Sequence, residues 1–328
     1  MLNSIISIVL LASPFALAQQ PKSSKVPPAL KATPAPTKEV KAVVATPAAT
    51  PTAPKAEPVP AVKSEFFYQA APGVQVVTPE FNYIAITVET NNAGTPTKTE
   101  VKRTGVRVAY DYGINQMFSV GAALEYSTSK DEGNTPTTIE AGLNDIEVNF
   151  KGTYAMGPGN LRFGSELSYS LGDRKIEANG NSNAYTGGHI LTPYLGYDMN
   201  LGKGVAGTKL ARQMNLGKQK VDNNGVTTEY EGDEETQFDL FYEQGINADW
   251  NAGGALSYVQ KADTKSNGTS TENINPTYLV RLYAPVKWGN AEVLPELRYS
   301  FTSDDKVEAA KIEKYDVLGF KVGYRMTF

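Results

Sequence analysis

Cysteine is absent from the 328 residues, which rules out disulfides and thiolate metal sites. Beyond the N-terminus no apolar run approaches the roughly 20 residues that a membrane-crossing helix needs, so a helical membrane protein is excluded. Histidine occurs once, as His189, leaving little for the imidazole chemistry on which most general bases depend. Aromatic residues are missing altogether between positions 19 and 63. A mean hydropathy of -0.33 with 41% hydrophobic residues resembles a soluble protein. A chain that crosses a bilayer as strands would give the same figures, because each strand meets lipid only at alternate residues.

The first 18 residues carry an apolar run, Ile5 to Leu11, followed by Ala16, Leu17 and Ala18 in a small-x-small pattern. This reads as a secretory signal peptide, although no Lys or Arg precedes the run, and no cysteine follows to accept a lipid. Residues 19–63 hold ten Pro, ten Ala, seven Lys and two Glu. Such a segment buries too little apolar surface to offset its ordering entropy, so a disordered linker is expected over 19–72. Its charge is +5 against -9 for the remainder, within a total of -4. Lysines spaced along a stiff chain attract polyanions, so peptidoglycan is a candidate partner, the plainer reading being a solvated spacer. Nucleic acid is not expected, because nothing there can stack on bases.

From about residue 73 one unit recurs: strand, tight turn, strand, longer polar loop. Six such hairpins fit the chain, at roughly 22 residues per strand and connection. Phe118, Val120, Ala122, Leu124 and Tyr126 alternate with Ser119, Gly121, Ala123, Glu125 and Ser127. Ile146, Val148, Phe150, Gly152 and Tyr154 do the same against Glu147, Asn149, Lys151 and Thr153, and the stretches 161–169 and 277–288 follow suit. Period two over about ten residues is the mark of a tilted strand with one apolar face. Tight connections near 113–116, 157–160, 202–205, 245–248 and 289–290 alternate with polar ones near 91–98, 129–139, 173–185, 222–234, 262–272 and 303–312. The pattern predicts an all-β, antiparallel, up-and-down transmembrane barrel of about 12 strands over 73–328. The segment 205–216 fits least well: either register puts Lys209 or Arg212 toward lipid, at about 2–4 kcal/mol near the midplane, so a bulge or a place near a rim is expected. The first strand, taken as 81–88, is also mixed.

The chain closes on Leu318, Phe320, Val322, Tyr324, Met326 and Phe328, alternating with Gly319, Lys321, Gly323, Arg325 and Thr327. This resembles the last strand of bacterial outer-membrane β-barrel proteins, and residues 110–121 resemble a periplasmic hairpin of that class. The resemblance implies an outer-membrane location in contact with lipid and lipopolysaccharide, with the linker in the periplasm. It further implies that Tyr324, Met326 and Phe328 are read by the barrel-assembly machinery.

With the polar face taken as lumenal, one wall carries Arg103, Arg107, Arg281, Lys287, Arg298, Lys321 and Arg325 against Glu89, Asp111, Glu292 and Glu296. The other carries Glu125, Glu147, Glu166, Asp198, Asp239 and Glu243 against Lys151 and Arg162. Opposed walls of this kind would set a transverse field across a water-filled lumen, unless the charges simply pair and fill it. No connection is long enough to form a large constriction loop. His189 falls on the outward side near the loop rim, away from any lumenal Ser, so no catalytic residue is expected and the chain is read as a non-enzyme. The acidic stretch Glu229, Glu231, Asp233, Glu234 and Glu235 lacks the spacing of a calcium loop, so neither metal nor cofactor is expected. These readings converge on a porin-like channel for small hydrophilic solutes, the alternative being a non-conducting barrel that anchors the cell wall or serves adhesion.

Overall fold

The computed structural model describes residues 64–328 apart from 93–94, 133–136, 233, 263, 267–268, 272–275, 303–304 and 308–309. The signal peptide and the linker as far as residue 63 lie outside the described residues. Twelve antiparallel strands close into a barrel. They are β1 Gln75–Asn92, β2 Thr95–Gly113, β3 Phe118–Asp131, β4 Ile146–Met156, β5 Gly159–Tyr169 and β6 Ile190–Leu201. The circuit continues with β7 Gly204–Asn215, β8 Glu235–Gly245, β9 Asn251–Lys261, β10 Thr277–Tyr283, β11 Ala291–Thr302 and β12 Ala310–Thr327.

Each strand pairs with its sequence neighbours, and β1 closes the circuit on β12, Phe81 facing both Val106 of β2 and Val322 of β12. The amide of Phe328 donates to the Gln75 carbonyl at 2.9 Å, so the last residue seals the seam. β4 is prolonged toward the loops by Thr138–Leu143 after a one-residue shift in its pairing with β3. β10 breaks at Ala284 and Pro285, where proline has no N–H for the ladder, and resumes as Val286–Trp288. β1 is far longer than the stretch 81–88 read from sequence, because its ends are held by pairing rather than by alternation.

The two faces of the wall are inverted relative to a soluble sandwich. On β8, Gln237, Asp239, Phe241 and Glu243 are buried while Phe238, Leu240 and Tyr242 are exposed. Leu256 is 60% exposed, Val106 56% and Leu195 53%, all pointing out of the barrel. A continuous apolar exterior over a polar interior is stable only if the outer solvent is hydrocarbon. Strands of 11 residues such as β5, β8 and β9 tilted by about 40° stand roughly 28 Å tall, matching an apolar band of about 25 Å. Aromatic rings mark both edges of that band. Near the loops Tyr258 meets Tyr278 at 5.8 Å and Tyr278 stacks on Phe301 at 5.4 Å, and near the turns Tyr154, Tyr242, Trp250 and Trp288 are exposed.

β7 resolves its ambiguity without a bulge. Lys209 points inward, 3.9 Å from Asp239, and Arg212 points outward beside the loop rim, where it pairs with Glu234. Placement at the interface removes most of the cost of a lipid-facing arginine.

The loop-side connection after β7, expected to be irregular, is a two-stranded ribbon of Lys218–Asn223 and Val226–Glu231. Asn224 and Gly225 turn it with φ of 54° and 82°, the left-handed pair that a two-residue hairpin requires. Arg174–Ile176 of the preceding loop adds a parallel third strand.

Residues 64–72, expected to belong to the linker, are an ordered part of the barrel interior. They fold back from the start of β1 into the turn end of the lumen and carry an apolar cluster of buried side chains, Phe67 with Val205, Phe241 and Ala255. Phe66, Phe67 and Tyr68 supply the apolar area that lets residues 64–72 pack there.

Candidate lumenal site

The interior divides into two layers. The lower layer lies two to five residues from the short turns and is built around residues 64–72. Glu243, near the end of β8, accepts hydrogen bonds from the amides of Glu65 at 2.8 Å and Phe66 at 2.6 Å. It also takes the Ser64 hydroxyl at 3.2 Å and the Tyr283 hydroxyl at 2.8 Å. One buried carboxylate thus satisfies two successive backbone donors and two side chains, a full complement for its oxygens.

The rings follow. Phe66 stacks on Phe241 with centroids 4.4 Å apart and planes 8° off parallel, and Phe67 meets the same ring edge-on at 5.4 Å. Room for Phe67 comes from Gly196 on β6, where a Cβ would overlap the ring. Cations surround these rings: Arg281 lies 5.3 Å and Lys209 5.7 Å from Phe66, and Arg162 5.9 Å from Phe67. Arg325 grips Glu65 at 2.5 and 2.8 Å, takes Glu292 at 2.8 Å, and lies 3.6 Å over the Tyr68 ring. Gln69 accepts from Thr153 at 2.5 Å, and the backbone of Ala70 and Ala71 passes so close to Gly113 that no other residue fits there. A cleft of about 250 Å³ remains between this segment and the β2–β3 turn, open toward the turn rim.

The upper layer is a belt of ion pairs. Reading across β10, β11, β12, β1, β2 and β4, Arg281 lies 3.8 Å from Glu296, Glu296 3.8 Å from Lys321, and Lys321 3.2 Å from Glu80. Glu80 then meets Arg107 at 2.8 Å, and Arg107 pairs with Glu147. Arg298 pairs with Glu296, Arg103 lies 3.6 Å from Glu125, and Lys151 2.6 Å from Asp111. Nearer the turns, within the lower layer, Arg162 meets Asp198 at 2.7 Å, so ion pairs reach that layer as well. Of the nineteen inward residues named from sequence the structure places two elsewhere, and Glu89 is one: it shares the outward face of β1 with Phe81, opposite Lys98 beyond the loop end of the band. Lys287 is the other: it sits exposed at the turn rim, its Nζ donating to the Ala248 carbonyl at 3.0 Å. The break at Ala284 and Pro285 carries it to the rim.

The picture of two opposed unpaired walls gives way to neighbour pairing. Arg107 with Glu147, Arg103 with Glu125 and Lys151 with Asp111 each join the two sets. Arg103 and Glu125 stand on adjacent strands about 5 Å apart, whereas Arg107 reaches Glu147 and Lys151 reaches Asp111 across β3, where Gly121 and Ala123 leave room, so opposite charges pair along the wall before a field can build across the lumen. Glu166 and Arg298 nevertheless stay exposed although they face inward, so solvent reaches this layer.

Elsewhere, His189 accepts from the Ser170 amide at 3.1 Å and stacks on the outward Tyr169 at 4.4 Å, on the outer side near the loops. The acidic stretch is dispersed: Glu229 pairs with Lys218, Glu234 with Arg212, and Glu235 lies 3.6 Å from Lys261, while Asp233 lies outside the described residues. Sequence reading missed residues 64–68 as part of the site. The available signal was the triplet Phe66, Phe67 and Tyr68 directly after the aromatic-free stretch 16–65.

A closed antiparallel barrel with an apolar exterior, aromatic edges and a charged, solvent-reached interior is the fold of bacterial outer-membrane β-barrel proteins. No protein-family model matches the chain, and no curated protein matches its sequence. Among solved structures it is similar to an outer membrane channel from Pseudomonas putida F1, at 12% identity and a TM-score of 0.62, over 81% of this chain and 100% of that one. It is also similar to a mutant of TodX, a monoaromatic hydrocarbon channel, at 10% identity and a TM-score of 0.51, over 79% and 91% of the two chains. At these identities the likeness is one of fold.

Proposed function

We propose that the protein is an outer-membrane channel for small hydrophilic solutes whose periplasmic end is narrowed by its own residues 64–72. The observation that carries this reading is the two-layer lumen: charged residues open to solvent above, and a folded segment tied to Glu243 and Arg325 below. The similarity to two solved outer-membrane channels supports a barrel of this kind. The belt of pairs leaves little net field, so selectivity would come from individual exposed charges such as Glu166 and Arg298 and from the space left beside residues 64–72. Short turns and the seam of the termini would face the periplasm, where the Lys-rich linker would lie.

The packing of residues 64–72 gives specific support to a second reading, a non-conducting barrel that anchors the envelope. Purified protein in a planar bilayer separates the two. The channel reading expects small conductance steps from the intact chain and steps several-fold larger after deletion of residues 64–72. Silence from both, with the deleted barrel still heat-modifiable on a gel, would favour the anchor.

A further inference from the structure

We infer that the turn-end wall of the lumen is a binding site for short peptides in which an acidic residue precedes two aromatic ones, and that residues 64–68 occupy it as a tethered copy of such a ligand. The groups that read the segment all belong to the wall: Gly196 on β6, Val205 on β7, Phe241 and Glu243 on β8, Ala255 on β9 and Arg325 on β12. Barrel pairing fixes these strands independently of the segment, as in the continuous registers of β8 with β7 and β9, so the site persists when the segment leaves.

What these groups recognise is a peptide rather than an apolar solute. Glu243 takes two successive amides, a feature of backbone. Arg325 takes a carboxylate in a forked geometry and stacks on the aromatic ring three residues further on. Phe241 presents a face to one ring and an edge to the next, and the missing Cβ of Gly196 leaves a hole shaped to a ring. The segment joins β1 through Gly73, which has φ of 72° and nothing within 4 Å of where a Cβ would be. The junction itself is pinned by the Gly73 amide on the Gly113 carbonyl at 2.7 Å, so residues 64–68 would leave while residues 70–73 stay on β2.

A tethered occupant of this kind competes at an effective concentration on the order of millimolar, so a free peptide would bind the intact protein weakly. This deepens the channel reading, on which it rests only for what capture would achieve.

The test uses the full-length protein in detergent and a fluorescently labelled peptide Ser-Glu-Phe-Phe-Tyr, followed by anisotropy. Phe66→Ala with Phe67→Ala empties the site, and replacing residues 64–68 by glycine and serine empties it by an independent route. Saturable binding is expected to either variant, about tenfold or more tighter than to the intact protein. Adding Glu243→Gln should abolish it. No saturable binding to either folded variant, equal binding to the intact protein, or equal binding of a scrambled peptide would overturn the proposal. Because binding is read without conductance, a variant that conducts but does not bind refutes the site, and one that binds but never conducts refutes the channel reading alone.

Discussion

The two layers of the lumen are enclosed by the same twelve strands yet are stabilised by different physics. The turn-end layer is held by ring packing, by a carboxylate whose acceptors are saturated and by glycines that admit close approach. The layer above is held by ion pairs between strands one or two apart in the wall, and it stays wet. Contact with the chain's own segment is specific and closes space. Neighbour pairing is nearly neutral and leaves space open, and pairs within reach of solvent contribute little each.

The sharpest way to break this contrast is Phe67→Ala. Removing a buried ring costs about 3–5 kcal/mol locally, so residues 64–72 should be cleaved by protease at least tenfold faster while heat-modifiability is unchanged. Unaltered cleavage would show that packing is not what holds the segment. Next, Leu256→Arg on the outer wall should lower barrel stability in urea by about 2–4 kcal/mol in lipid, and an unchanged midpoint would sink the assignment of that face to hydrocarbon. Gly113→Val should act as a weaker version of the first change, by about 1–3 kcal/mol, because its Cβ would fall on the Ala71 carbonyl.

In the wet layer the expected effects are electrical rather than structural. Glu166→Lys should move the reversal potential of the channel toward anions with little loss of stability, and an unmoved potential would mean that ions do not pass that residue. The smallest effect belongs to Glu132→Gln near the loops, where exposed pairs with Lys102 at 2.7 Å and Lys130 at 3.2 Å are lost. No shift of the unfolding midpoint is expected, and a measurable one would show that this pair network matters more than its exposure implies.

Much of the fold was legible before any coordinates. Alternation over 118–126 and 146–154 placed β3 and β4 and assigned their faces, and the terminal run to Phe328 marked the closing strand. Strand length was less legible: β1 begins at Gln75 and ends at Asn92 because β2 and β12 hold it on both sides. β7 carried its answer in pairing, since only the place of Asp239 on β8 and of Glu234 just before it tells which of Lys209 and Arg212 can face lipid. The ribbon turned by Asn224 and Gly225 had a local signal that was read as loop. Lys287 followed strand parity through a proline that broke the strand.

The charged residues of the wall were found, but their sum over each wall said nothing of their partners. That failure has a geometric origin: a side chain answers first to partners one or two strands away along the wall, and only then to the far wall.

By itself the sequence determined the period-two pattern, and with it the inverted faces and the need for a hydrocarbon exterior, because these are written in residues two apart, while the alternation of tight turns and polar loops gave a count of about twelve strands. Tertiary structure alone decided that Glu65 meets Arg325 and that Ser64 meets Glu243, contacts separated by 260 and 179 residues. Closing the barrel fixes which residues converge on its axis, and no local pattern along the chain records that convergence.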